Sequence, residues 1–260
     1  MTFQYLISAV EKDEKELTAV MNLQGDAVLV DQCSEDARYE TQYGFGKVLT
    51  IRQNGRGVGL SRNTALENAD SDICLFSDED IEYYDGCVRK VTDAFASHPD
   101  AAVIAFNIDV DERRRTYHND KERRVSALNY GRYPAYALAI SRQKILDKDI
   151  RFSLLFGGGA KYSNGEDSLF LHDCLKKHLK IYAVTECLGR EKYRESTWFK
   201  GYTDKFFFDR GVLYHFLYGK AAALLGFRFL YKNRDTMLKE RSLKDAFRLL
   251  KKGIAEGKTL

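Results

Sequence analysis

Three acidic residues, Asp78, Glu79 and Asp80, follow the apolar run of residues 73–76 after a single serine. Carboxylates crowded on one tight turn repel one another unless a cation or hydrogen-bond donors compensate their charge. Oxygen-rich sites of this kind hold Mg²⁺ or Mn²⁺ through one or two carboxylates, and substrate phosphates and water complete the coordination. The turn therefore predicts a divalent metal site for a nucleoside diphosphate, although Asp-x-Asp by itself is also common in surface turns.

A second acidic pair, Glu166 and Asp167, stands at the start of a predicted helix. Acids in a first helical turn are favourable by ~0.3 to 1 kcal/mol, which is a sufficient structural reason for both. The glycines at residues 157–159 favour a functional role, because a glycine-rich approach lets a substrate come close to the backbone.

Four segments together resemble the family-2 inverting glycosyltransferases, which have the GT-A fold. They are Asp-Gln-Cys-Ser-Glu-Asp at 31–36, Gly-Val-Gly-Leu-Ser-Arg-Asn at 57–63, Asp-Glu-Asp at 78–80 and Gly-Glu-Asp at 165–167. The first segment departs from the family's Asp-Asp-x-Ser-x-Asp pattern at Gln32. With the strands and helices between them, the matches span residues 4–184. The resemblance implies an α/β protein with a Rossmann-like, mostly parallel sheet flanked by helices.

The resemblance also implies which residues hold the donor. Asp31 is expected to accept the uracil imide proton, Asp78 to contact the ribose, and Asp80 to coordinate the metal that bridges the two phosphates. Arg62 lies near a helix start, where its guanidinium and the backbone amides could both bind diphosphate oxygens. We therefore expect Arg62 to contact the diphosphate. Ser8 and Asn54 are expected to border the nucleotide.

An inverting transfer needs a base that takes the proton of the attacking acceptor hydroxyl, and Asp167 is the candidate. Mn²⁺ or Mg²⁺ would stabilise the departing diphosphate. Gly159, Glu166 and Trp198 are the candidates for contacts with the donor or acceptor sugar. An aromatic face such as that of Trp198 stacks on sugar rings, but core packing is the alternative for this residue.

These features predict a metal-dependent inverting glycosyltransferase that moves a hexose from a UDP-sugar to a hydroxyl of a saccharide or lipid-linked saccharide, in surface-polysaccharide synthesis. A sugar-phosphate nucleotidyltransferase is one alternative, but it needs a glycine-rich basic loop after the first strand, where this chain has residues 8–11, Ser-Ala-Val-Glu. A non-catalytic module that binds polyanions or membrane is the other.

The elements that must position these residues alternate between short apolar runs and segments of helical period, as in a sheet covered by helices. Predicted strands are 4–10, 27–30, 47–51, 73–76, 101–106, 135–140 and 181–184. Predicted helices are 14–21, 61–68 with a serine cap at Ser61, 86–96 and 167–177. Asp31 is thereby expected just beyond its strand, and 111–124 is expected to be an exposed loop. We expect a catalytic domain at 1–190 and a helical extension at 191–260 packed on it.

Composition limits the remaining possibilities. The 260 residues, 44% of them hydrophobic and only 2 of them proline, predict a single compact body. Five cysteines without metal-ligand spacing, the short apolar start and the absence of ~18 consecutive apolar residues predict a cytoplasmic protein. Residues 220–260 carry 11 Lys and Arg against 4 Asp and Glu. This basic end suggests an anionic membrane surface as a peripheral partner, or simply a solvated helix face. We expect no nucleic-acid partner.

Overall fold

The computed structural model describes residues 1–112, 115, 117–192 and 201–260. The strands are β1 (Phe3–Val10), β2 (Asp26–Cys33), β3 (Ala37–Tyr43), β4 (Gly46–Asn54), β5 (Ile73–Asp78), β6 (Ile81–Tyr83), β7 (Ala101–Asp109), β8 (Arg123–Arg124), β9 (Leu138–Ser141) and β10 (Lys180–Glu191). The helices are α1 (Glu14–Met21), α2 (Val58–Asn68), α3 (Cys87–Ser97), α4 (Arg142–Asp147), α5 (Glu166–Lys176), α6 (Asp204–Tyr218), α7 (Ala222–Lys232), α8 (Arg234–Met237) and α9 (Leu243–Gly257). Short 3₁₀ turns occupy Tyr130–Arg132, Ala135–Ala137 and Gly219–Ala221.

One large sheet organises the molecule, with the strand order β3-β4-β2-β1-β5-β9-β7-β10-β6, and β8 pairs with β10. Strands β4, β2, β1 and β5 pair in parallel, as do β7 and β10, whereas β9 and the outer strands pair antiparallel. The inner parallel strands read as continuous apolar runs because helices cover both of their faces. The predicted α/β class with a helical C-terminal region is confirmed, in a sheet of mixed pairing.

Several element boundaries differ from the prediction. Strand β2 continues to Cys33, so Asp31 lies within it and not beyond its end. Helix α2 begins at Val58 with Gly57 before it, and Ser61 lies inside the helix, so the predicted serine cap is wrong. Residues 135–137, expected in a strand, form a 3₁₀ turn before β9. The edge strand β3 was missed, because its mostly exposed, polar residues lack a buried alternation.

The C-terminal helices share one apolar core with the sheet. Phe170 of α5, Leu213 of α6 and Leu250 of α9 belong to the same buried cluster as Phe76 of β5. Helices α6 and α9 come very close at glycines: a Cβ at Gly211 would lie 2.0 Å from the Leu250 carbonyl oxygen, and one at Gly253 would lie 1.9 Å from that of Phe208. The shared cluster packs the helical extension against the sheet, and the glycine contacts pack its two long helices against each other.

Among the residues that the structure describes, no helix is both long and apolar enough to cross a lipid bilayer.

Candidate active site

The carboxyl ends of three neighbouring strands bring the predicted nucleotide residues to one edge of the sheet. In the β1–β5 ladder Ser8 stands opposite Asp78, and in the β1–β2 ladder Ala9 stands opposite Asp31. Ligands of open α/β sheets bind at this edge. Ser8 itself is buried, and its hydroxyl accepts a hydrogen bond of 3.0 Å from Ser61 of α2.

Asp31 is a buried carboxylate with one oxygen still open to a donor. The residue is 1% exposed, and its Oδ1 accepts the backbone N–H of Lys12 at 3.0 Å. Its Oδ2 is buried and has no hydrogen-bond donor among the described residues, with the Arg52 Nε at 3.6 Å. A buried acceptor is normally satisfied, so this oxygen suits the N–H group of a ligand. A cavity of about 540 Å³ lined by Lys12, Cys33, Tyr39 and Arg52 lies in the same region.

The motif departure at Gln32 has a structural role. Its side-chain oxygen accepts the backbone N–H of Gly57 at 2.7 Å, immediately before α2. This hydrogen bond joins the end of β2 to the start of the helix that carries Arg62. At the end of β4, Asn54 is exposed and donates its backbone N–H to Asp36 at 2.8 Å. A nucleotide contact of Asn54 stays a prediction.

Carboxylates crowd around Asp80. Burial, followed by the negative charges of Asp78, Glu191 and Glu79, raises the pKa of the Asp80 carboxyl to about 7. Excess negative charge of this kind is what a divalent cation relieves, so the residues present fit Mg²⁺ or Mn²⁺. In the described ranges no three His, Cys, Asp or Glu side chains form a ready metal cage.

Arg62 connects the acidic turn after β5 with the acidic start of α5. The residue is 3% exposed, and its Nη2 lies 2.9 Å from Asp78 Oδ1. Its Nη1 lies 3.0 Å from Asp167 Oδ1 and 3.3 Å from Glu166 Oε1. The planar guanidinium suits this arrangement, because its donors fan out in a fixed fork. The predicted contact of Arg62 with the diphosphate stays a prediction, since the partners it has here are carboxylates.

Asp167 stands at the N-terminal end of α5, next to Glu166, which is buried. Burial and then the charge of Glu166 raise the pKa of the Asp167 carboxyl well above its ordinary value, while Arg62 opposes the shift. A raised pKa suits a group that exchanges a proton near neutral pH.

Two residues of the site escaped the sequence analysis. Burial and the nearby charges of Glu191, Asp78, Asp167 and Asp80 raise the pKa of the Tyr136 hydroxyl, so this residue lies within electrostatic range of the carboxylates. Glu191 ends β10 beside the acidic turn, where the backbone N–H of Lys192 donates to the Asp80 carbonyl at 2.7 Å. The strand was predicted to end at residue 184, whereas β10 continues to Glu191. The sequence therefore did not indicate that Glu191 reaches the site.

The remaining sugar-contact candidates lie on different parts of the chain. Gly159 has φ +82° and lies against the start of α2, where a Cβ would be 3.0 Å from the Gly57 nitrogen. Glu166 lies at the Arg62 cluster. Trp198 lies outside the described residues, so its contact with sugar stays a prediction.

Comparison with known proteins agrees with this architecture. The family model described as Glycosyl transferase family 2 matches residues 19–155, just over half of the chain. The crystal structure of S. aureus TarS 1–349 in complex with UDP-GlcNAc superposes with a TM-score of 0.61 at 17% identity, covering 92% of this chain and 74% of that one. The same fragment in complex with UDP gives a TM-score of 0.60 at 14% identity, with the same coverage. No curated protein matches the sequence. The structural similarity confirms the GT-A fold.

Proposed function

The chain belongs to glycosyl transferase family 2, and on that premise we propose that it transfers a hexose from a UDP-sugar, with inversion, to a hydroxyl of a saccharide or lipid-linked saccharide in surface-polysaccharide synthesis. The observation that carries the proposal is the position of Arg62. Its guanidinium contacts Asp78 on the donor side of the site and Asp167 on the other side. A donor-binding carboxylate and a candidate base thus share one buried cation.

The donor half of the proposal rests on residues at the strand ends. The open, buried oxygen of Asp31 supports recognition of the uracil N–H group. Asp78, at the end of β5, would contact the ribose, and Ser8 and Asn54 would border the nucleotide. The binding of UDP-GlcNAc and UDP by S. aureus TarS, whose fold is similar, supports a UDP-sugar as the donor class.

The transfer half rests on Asp167. As the acceptor oxygen bonds to the anomeric carbon, Asp167 takes the hydroxyl proton, and the bond to the nucleoside diphosphate breaks with its electron pair on the departing phosphate oxygen. Mn²⁺ or Mg²⁺ held through Asp80 would neutralise the charge that gathers on that leaving group. Burial and then the Glu166 charge raise the pKa of the Asp167 carboxyl, so the carboxyl retains the proton that it has taken.

Thermal unfolding with UDP tests the donor half. We expect UDP to raise the Tm of the wild type, and to raise it further with Mn²⁺, because a ligand that binds only the native state stabilises it. In Asp80→Asn the Mn²⁺ increment should disappear, while the exposed surface variant Asp93→Asn should respond like the wild type. A Tm that UDP leaves unchanged with and without Mn²⁺ would contradict the proposal.

A membrane contact is the second part of the proposal. Helix α7 exposes Leu224 (73% exposed), Phe227 and Tyr231 on one face, and Lys220 and Arg228 lie beside them. Apolar side chains flanked by basic ones fit an anionic bilayer, into which the apolar groups insert while the cations meet the headgroups. We therefore propose that this face docks on an anionic membrane.

Vesicle co-sedimentation checks this contact. The wild type should pellet with phosphatidylglycerol vesicles and not with phosphatidylcholine vesicles, and salt should weaken the binding. The double substitution Leu224→Ser with Phe227→Ser should reduce pelleting, whereas Leu128→Ser, at a 97% exposed position outside the C-terminal helices, should not. Equal pelleting of the double variant and the wild type would rule out this face.

A further inference from the structure

The candidate base is preceded by a tight segment, residues 153–165, which we call the glycine loop. The loop is closed on itself by the hydrogen bonds Gly157 N to Tyr162 O and Tyr162 N to Leu155 O, both 2.9 Å. At Gly165, with φ +121°, it passes into α5. The position of the glycine loop therefore bears directly on the position of Asp167.

One side of the glycine loop is attached to the start of α2. The backbone N–H of Val58 donates to the Gly158 carbonyl at 2.9 Å. A Cβ at Gly59 would lie 2.4 Å from the Ser153 carbonyl oxygen, so the two backbones are in direct contact. This side links the loop to the helix that carries Arg62.

The other side of the glycine loop is attached to the C-terminal helices. Asp209 of α6 accepts the backbone N–H of Ser163 at 2.9 Å and the Lys205 ammonium at 2.6 Å. Glu256 of α9 accepts the Tyr162 hydroxyl at 3.0 Å. One helical turn beyond Asp209, Leu213 packs against Gly165, where a Cβ would lie only 2.6 Å from its methyl groups.

Asp209 is the central member of this attachment. It is 2% exposed, and burying a carboxylate costs free energy unless the group is paired and hydrogen-bonded. Its Oδ2 accepts a hydrogen bond from the backbone N–H of Ser163, four residues before Asp167. Asp209 therefore fixes the backbone of the glycine loop. A hydrogen bond between an ionised carboxylate and a backbone N–H is among the stronger ones in proteins.

We propose that Asp209 is a positioning residue for sugar transfer: it fixes the glycine loop from the C-terminal helices and so sets the place of Asp167 relative to Arg62. The inference rests on the proposed function of Asp167 as the base. It assigns the helical extension, which lies beyond the residues of the family match, a direct part in the transfer step.

The expected effect follows from the geometry of proton transfer. A base must lie within hydrogen-bond reach of the proton it takes, and a misplacement of about 1 Å costs roughly 10²-fold in rate. The residues proposed to hold the nucleotide lie on β1, β2, β4, β5 and α2, and none of them lies on α6. Loss of the Asp209 contact should therefore lower kcat and spare nucleotide binding.

The experiment compares Asp209→Ala and Asp209→Asn with the wild type. UDP release in the presence of a saccharide acceptor is measured with whichever of UDP-glucose, UDP-galactose and their N-acetyl forms the wild type turns over fastest, and the Kd of UDP is measured separately. Asp209→Ala should lower kcat roughly tenfold to a hundredfold with the donor KM and the UDP Kd within twofold of wild type. Asp209→Asn should recover most of that loss, because its amide oxygen still accepts from Ser163. Asp204→Asn, on the same helix but paired with Arg241, is the matched control and should not change kcat.

The outcomes separate the two claims. A smaller fall in kcat for Asp209→Ala, a UDP Kd that rises along with it, or an Asp209→Asn as impaired as the alanine variant would overturn the inference. If Asp209→Ala does not fold, Asp209→Glu, whose longer side chain displaces the carboxylate from the Ser163 N–H, decides: lowered kcat at unchanged UDP Kd supports the inference, and unchanged kcat overturns it. A wild type that releases UDP from no donor contradicts the proposed function itself.

Discussion

At the scale of single residues, the site is organised around one buried arginine. Arg62 is 3% exposed, and its guanidinium contacts Asp78 on one side and Asp167 on the other. Removing one partner of such a buried cluster leaves the others uncompensated, which is costly. The arrangement holds Asp78 and Asp167 at a fixed separation before any substrate arrives.

The role of Asp167 gives a prediction about pH. Because burial and Glu166 raise its pKa, only the deprotonated fraction can act as a base, and that fraction grows as the pH rises through neutrality. The kcat of the wild type should therefore increase with pH across the neutral range. Asp167→Asn should lower kcat by about 10² to 10⁴-fold and abolish this rise, with the UDP Kd unchanged. A kcat of Asp167→Asn close to wild type would remove Asp167 from the mechanism.

The residue-scale features that sequence reasoning anticipated have a local signal. The acidic residues 78–80 follow an apolar run after one serine. A position just after a predicted strand implies the edge of a sheet, and this can be read without knowing the rest of the fold. Tyr136 and Glu191 have no local signal, because a 3₁₀ turn and the far end of β10 bring them to the carboxylates. The carboxylate partners of Arg62 on α5 likewise depend on contacts across more than 100 residues.

At the scale of elements, the apolar pattern was sufficient for the inner strands and most helices. The apolar pattern failed for β3, which is an exposed edge strand. Backbone hydrogen bonds to β4 define this strand, and burial of its side chains does not. The pattern also misplaced the start of α2, because Gly57, with φ +144°, begins the helix without a side-chain cap. The first error concerns pairing with another strand, and the second concerns a glycine start that carries no side-chain signal.

The glycine contacts between α6 and α9 give a prediction at this scale. Gly253→Ala should destabilise the protein by about 1 to 3 kcal/mol, because its Cβ would meet the Phe208 carbonyl and force the helices apart. Urea unfolding measures the change. Gly44→Ala, at a position with no atom within 4 Å of the added Cβ, is the control and should leave the midpoint nearly unchanged. Equal midpoints for Gly253→Ala and the wild type would show that the helices do not pack as described.

At the scale of the whole molecule, the near-neutral total charge hides an uneven distribution. Acids gather at the sheet edge, and 11 Lys and Arg lie within residues 220–260. Helix α9, within this basic end, holds the glycine loop through Glu256, and α6, which precedes the basic end, holds it through Asp209. We propose that the extension both positions the glycine loop and docks on the anionic membrane. The division of the chain at residue 190 remains a prediction.

Release of UDP from a panel of UDP-sugars tests the account most directly. With Mn²⁺ present, the wild type should release UDP from at least one of UDP-glucose, UDP-galactose and their N-acetyl forms when a saccharide acceptor is added. Asp167→Asn should bind UDP equally well and release it at least about 10²-fold more slowly. A wild type that releases no UDP from any donor, or an Asp167→Asn variant that releases it at the wild-type rate, would contradict the account.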